Sequence, residues 1–155
     1  MFYFNISKIV LIGNKTKLLD VFRIDPKNCI CLDIGASTGG FTDVLLSHGA
    51  AKIFAVDVGR GQLAWKLQTS DRVIVMDKTN ARYLTRGDIS DGIDLIVCDA
   101  SFISLKKILP APLALANAGT RLVALIKPQF EVGRERIGKG GIVSSPQLHN
   151  EICQG

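Results

Sequence analysis

Four short apolar runs in this chain each carry one charged residue at or beside their end, and a turn follows each at once. They read CLDIG from Cys31, IFAVDVG from Ile53, LIVCDAS from Leu95 and LVALIKPQ from Leu122. Continuous runs of this length mark strands buried on both faces, and the stretches between them carry helical spacing. The sequence predicts strands at Cys29–Ile34, Lys52–Val58, Arg72–Val75, Ile93–Cys98 and Leu122–Ile126. Helices are expected at Gly40–His48, at Gly61–Leu67 and at Leu105–Ala116, the last interrupted by Pro110 and Pro112. Strands that alternate with helices are joined by crossovers. The expected fold is therefore α/β, a Rossmann-like, doubly wound and mostly parallel sheet with its ligand beyond the carboxyl ends of the strands.

The 155 residues allow one domain and not two. Residues 1–12 suggest a further strand and Lys15–Phe22 a short helix. At the other end the chain stops at Gly155, inside a helix that starts at Pro146, so the last strands of such a sheet are expected to be lacking. A hydrophobic fraction of 47% with 21% charged residues excludes a disordered chain. The net charge of +5 favours anionic partners, though solubility alone accounts for an excess of that size. Cys29, Cys31, Cys98 and Cys153 have no metal-binding spacing and read as buried free thiols of a reducing compartment. The apolar N-terminus is too short and too polar to span a bilayer and lacks the marks of a signal peptide, so a cytoplasmic location is expected and no membrane partner or metal.

The first strand delivers Asp33, and GASTGG follows immediately. Gly35 permits a tight turn, while Gly39 and Gly40 allow a ligand close to the backbone where the helix begins, with Ala36, Ser37, Thr38 and Phe41 filling the bend. A dinucleotide fingerprint needs glycine at position 37, which is Ser37 here. A carboxylate preceding the bend suits an ammonium better than a pyrophosphate, and S-adenosyl-L-methionine carries such a cationic amino-acid end. The second strand ends AVDVG, placing Asp57, followed by Val58, roughly 20 residues beyond the bend, the usual separation for an acid that holds ribose hydroxyls. After the third strand, Asp77 and Asn80 are both candidates for an adenine edge. There is no phosphate-cradling P-loop, because GNKTK lacks the glycine before its lysine.

Asp99 ends the fourth strand and Lys127 the fifth, so the two stand at neighbouring strand mouths. A lysine directly after LVALI is unusual, although a long lysine can also snorkel out of an apolar run. Beside a methyl donor, an Asp–Lys pair points to transfer onto oxygen. A hydroxyl attacks only when its proton is removed or its charge relieved, and a partly buried lysine oriented by an aspartate can do this. Base amino groups are gripped by a different pocket with two prolines. Asp99-Ala100-Ser101-Phe102 has none.

Taken together, CLDIGASTGGFTDVLLSHGA, AVDVGRGQLAWKL, TNAR, DASFISL and KPQFEVG…GKGGIV resemble the TlyA family, from about Leu18 to Leu148. Its members are ribosomal RNA 2′-O-ribose methyltransferases, relatives of the FtsJ group that often carry a haemolysin label. The resemblance implies a class I methyltransferase fold, S-adenosylmethionine as donor, ribosomal RNA as partner and a Lys-Asp-Lys-Glu catalytic set whose middle members fall on Asp99 and Lys127. The family's first lysine motif is not preserved: its place falls at Asn14, with Lys15 and Lys17 nearby. The family's S4 RNA-binding domain has no counterpart in this chain, and its final glutamate would come from beyond residue 155. A cofactor-binding remnant without turnover is therefore one alternative. A nicotinamide oxidoreductase and a membrane-lytic protein are the others, and neither has its motif here. Of the remaining features, Arg134, Arg136 and Lys139 in the loop Val132–Gly141 are candidate phosphate contacts. Phe102 is a candidate for base stacking, Trp65 is expected to pack on its helix, and His48 and His149 read as surface or helix-end residues.

Overall fold

Parity along each strand decides which layer a side chain joins. The structure, a computed structural model, describes residues 5–6, 19–20 and 22–132. In β2 (Ile30–Ile34) Cys31 packs into one buried cluster, while Leu32 and Ile34 pack into the other. The same alternation runs through β3 (Lys52–Val56), β5 (Ile93–Cys98) and the carboxyl half of β6 (Ala116–Ala124). Both faces are therefore covered, as a parallel sheet requires. Helix α1 (Gly40–Ser47) and α2 (Trp65–Gln68) supply the first cluster with Phe41, Leu45 and Leu67. The second cluster receives Ile108 from α3 (Leu105–Ile108) and Pro112 is buried in α4 (Pro110–Ala114), with Ala81 from a 3-10 turn at Ala81–Tyr83.

The described strands form one sheet in the order β1-β6-β5-β2-β3-β4, every pairing parallel, with β1 at Asn5–Ile6 and β4 at Val73–Met76. The chain winds one way from β2 through β3 to β4 and the other way through β5 to β6. The direction reverses between β2 and β5, and the crevice at such a reversal is where open α/β sheets bind ligands. This is the doubly wound sheet expected from the sequence, with β1 adding a short parallel edge beside Arg121 and Leu122.

Several boundaries differ from expectation. The predicted helix at Gly61–Leu67 is helical only from Trp65, because Gly61 has φ +63° and its amide is held by Asp77. The predicted helix at Leu105–Ala116 is two short helices, since Pro110 lacks an amide to continue the first and suits the first turn of the second. β3 ends at Val56 and leaves Val58 exposed. β6 begins at Ala116, earlier than Leu122, through a register irregularity against β5 near Ile93 and Leu95. The expectations at Lys15, Lys17, the loop Val132–Gly141 beyond Val132 itself (with Arg134, Arg136 and Lys139), the helix from Pro146, His149 and Cys153 lie outside the described residues.

Cys31 and Cys98 are buried in the sheet, and burial pushes both thiols up to about 12. Cys29, just ahead of β2, is only half-buried, contrary to the expectation of a buried thiol. The two buried thiols should resist iodoacetamide at pH 8 until the chain is denatured, with Cys29 reacting ahead of both, as mass spectrometry of timed quenches would show. Their folded values stand above the ordinary 9.0, so the folded chain keeps protons that the unfolded chain releases. Stability is therefore retained below pH 9 and falls as pH rises toward 12.

Candidate active site

A cleft of about 450 Å³ opens at the reversal point, within the range of small-molecule sites. Its walls come from the carboxyl ends of β2, β3 and β5 and include Gly35, Ser37, Asp57, Val58, Asn80 and Asp99. Gly35 is required where these strand ends converge. Its φ is +76°, and a Cβ there would stand 3.0 Å from the Asp99 carbonyl oxygen and 3.1 Å from Ala100 Cα. The bare residue lets the glycine bend close against the turn after β5, which the Asp99 amide reinforces by donating to the Ile34 carbonyl at 2.9 Å.

The bend's own amides are largely engaged within the protein. Gly35 and Ala36 donate to the Val56 carbonyl at 2.9 and 3.1 Å, and Gly39 donates to Ala36 at 2.8 Å. Ser37, held at φ +50°, donates to Asp57 Oδ2 at 2.8 Å. Paired phosphates need a row of outward amides, and this bend keeps four of them turned inward. A cationic group beside carboxylates needs none. The residues present therefore fit a nucleoside carrying an amino-acid tail better than a dinucleotide.

Not every residue expected at the ligand lines this cleft. Asp33 is fully buried at 0% exposure, and its Oδ2 accepts from Thr42 Oγ1 at 2.7 Å. Strand parity turns it toward the layer of α1. Phe41 and Ala36 belong to the core, so they shape the bend without facing the cleft. Thr38 is exposed, its carbonyl accepting from the Ala64 amide, and Gly40 opens α1. Gly39 has φ +102°, and a Cβ on it would overlap Leu67 and Leu63. Its bareness serves the packing of α2 against the bend. Gly39→Ala should lower stability by about 2 kcal/mol in urea titration, through both strain and overpacking.

Asp57 holds two loops at once: Oδ2 receives the Ser37 amide and Oδ1 the Gly59 amide at 2.7 Å. Of the two candidates for the adenine edge, Asn80 lines the cleft while its Oδ1 caps the 3-10 turn at the Arg82 amide. Asp77 accepts the Gly61 amide on its Oδ2 at 2.8 Å and is not among the residues lining the cleft. Trp65, expected to pack, is 76% exposed, whereas Phe102 at the cleft mouth is 90% exposed with φ +64°. His48 closes α1, its Nδ1 2.8 Å from the Val44 carbonyl.

At the reaction end the expected pair forms. Lys127 Nζ lies 2.8 Å from Asp99 Oδ1, with the two side chains 26% and 18% exposed. Lys127 also donates to Ser101 Oγ at 2.7 Å. Ser101 was noticed in the sequence only as a residue that is not proline, and its hydroxyl is a partner that spacing did not reveal. A third contact, to the Asp99 backbone carbonyl at 3.4 Å, gives each of the three ammonium protons an acceptor. Among the described residues no group of His, Cys, Asp or Glu converges to hold a metal ion, and no helix is long and apolar enough to cross a membrane.

A reversed-order parallel sheet with a glycine bend, a ribose-distance carboxylate and a Lys–Asp pair at its crevice defines a Rossmann-like methyltransferase fold. The chain belongs to the FtsJ-like methyltransferase family, whose match spans residues 15–155. It is 53% identical over 130 residues to the Mycobacterium tuberculosis 16S/23S rRNA (cytidine-2′-O)-methyltransferase TlyA, covering 84% of this chain and 48% of that protein. A Brachyspira hyodysenteriae protein named Hemolysin A is 45% identical over 150 residues, 96% of this chain and 62% of its own. A solved Streptococcus thermophilus structure named a hemolysin superposes with TM-score 0.87 at 46% identity, over 91% of this chain and 51% of that one. The chain spans about half the length of the TlyA relative.

Proposed function

We propose that this domain binds S-adenosyl-L-methionine and transfers its methyl group to a ribose 2′-hydroxyl of ribosomal RNA, a reaction of the cytoplasm. The observation that carries the reading is the 2.8 Å Lys127–Asp99 pair at the mouth of the cleft. The names of the relatives support RNA as the acceptor. In this reading Asp57 receives the ribose hydroxyls, Val58 and Ala81 flank the adenine, and Asn80 meets its edge. The buried carboxylate of Asp33 would favour the ammonium of the amino-acid tail. When bound, the cofactor supplies an electrophilic methyl carbon on a sulfonium.

The chain's own residues act on the nucleophile. Lys127 Nζ, in its amine form, takes the proton of the attacking 2′-hydroxyl as that oxygen bonds the methyl carbon and the carbon–sulfur pair stays on sulfur, and the ammonium so formed is held by Asp99 and Ser101. Phe102, exposed beside this pair, offers a face on which the target base can stack. Calorimetry with S-adenosylhomocysteine tests the pocket, and methylation of 16S and 23S transcripts, read as ribose-protected positions by reverse transcription, tests the reaction. Folded chain that gives no heat with the cofactor product ends the proposal. NADH binding in its place would revive the nicotinamide alternative.

A further inference from the structure

The turn after β6 meets the turn after β5 along its whole length, beyond the ion pair. Phe130 lies against Phe102 with ring centroids 5.2 Å apart. Glu131 then receives Ser104 Oγ on Oε2 at 2.6 Å and the Leu105 amide on Oε1 at 2.8 Å. Helix α5 (Pro128–Glu131) has four residues, a length with no stability of its own, so what its two ends hold determines where it sits. Lys127 caps one end, its carbonyl accepting from the Phe130 amide at 2.9 Å, and Glu131 closes the other. Pro128 stiffens the span between them. Across the gap, Ser104 is equally fixed: its Oγ accepts from the Lys106 amide at 3.2 Å while donating to Glu131.

Both oxygens of Glu131 serve the start of α3, so its carboxylate is turned to Ser104 and Leu105 and not to the Lys127–Asp99 pair. We propose that Glu131 is a positioning residue: its two-point clasp on Ser104 and Leu105 sets the rotation of α5 and thereby places Lys127 Nζ on Asp99 and Ser101. The consequence for turnover rests on the methyl-transfer reading; the placement of the lysine does not. If Glu131 merely capped α3, its loss would disturb α3 and leave the lysine where it is.

Side-chain carbon–nitrogen correlation NMR on the full chain separates these cases, with the Lys127 ammonium signal assigned by its disappearance in Lys127→Arg. Glu131→Ala should shift that signal and speed exchange of its protons about tenfold, as a group released from a fixed geometry does. Glu131→Gln keeps an acceptor for the Leu105 amide and a partner for Ser104, so it should stay near wild type. In methylation assays Glu131→Ala should lower kcat about tenfold while S-adenosylhomocysteine affinity stays within about twofold. If Glu131→Ala does not fold, Glu131→Asp, one methylene too short for both contacts, takes its place. An unchanged lysine signal in the folded variant overturns the proposal, as does a Gln variant as disturbed as the Ala variant. A wild-type chain that binds no cofactor product overturns the methyl-transfer reading instead, and the lysine signal still decides the clasp.

Discussion

Lys127→Ala is expected to reduce ribose methylation at least about a hundredfold while leaving S-adenosylhomocysteine affinity within a few-fold. The lysine sits at the mouth of the cleft, held by Asp99 at 2.8 Å and Ser101 at 2.7 Å, and not in the bend where the cofactor is expected. Its removal takes away the group facing the nucleophile and leaves the Asp99 carboxylate without its cation, next to an oxygen that gains negative charge as it reacts. Both effects oppose the transition state, and neither touches the bend. Lys127→Arg is informative beside it: the charge is kept, but the planar fork does not reproduce the lysine's tetrahedral set of contacts, so most activity should still be lost. Single-turnover assays with saturating cofactor read these effects directly. Full methylation by the alanine variant would remove the lysine from the mechanism.

Asp57→Ala should weaken S-adenosylhomocysteine binding by about 10- to 100-fold, the loss of a charged acceptor for hydrogen bonds being worth about 1.5–3 kcal/mol. Two causes act together. The carboxylate anchors the Ser37 and Gly59 amides at 2.8 and 2.7 Å, so its loss frees the two loops that wall the cleft. It is also the group placed to meet the ribose hydroxyls. Asp57→Asn separates the causes, because one oxygen remains to hold an amide while the charge and the second acceptor are gone. An intermediate affinity by calorimetry is expected for it. Unchanged affinity in the alanine variant would show that the ribose is held elsewhere.

Much of the site was legible before the fold was known because its residues sit at the ends of apolar runs. A strand that stops on a charge in a parallel sheet has its carboxyl end at the crevice; Asp57 and Asp99 line the cleft there, and Lys127 pairs with Asp99. The glycine bend was equally visible, but its interpretation was only partly right. Gly35 is bare so that two backbones can meet, and Gly39 is bare so that Leu63 and Leu67 can pack. A sequence marks a position that tolerates no side chain without naming the neighbour that forbids one.

By itself, then, the sequence determined the order of strands and helices, the parallel sheet and the strand ends that form the crevice. Those depend on hydrophobic runs and turn residues, which act locally along the chain. Only the tertiary structure decided that Asp33 faces Thr42 beneath α1, that Ser101 joins Asp99 on the lysine, and that Glu131 reaches across to Ser104 and Leu105. Each of these is a meeting of residues far apart in the chain or a choice between two faces of one strand. Packing settles such choices, because burying a charged or polar group without a partner costs more than any local preference of the backbone can offset.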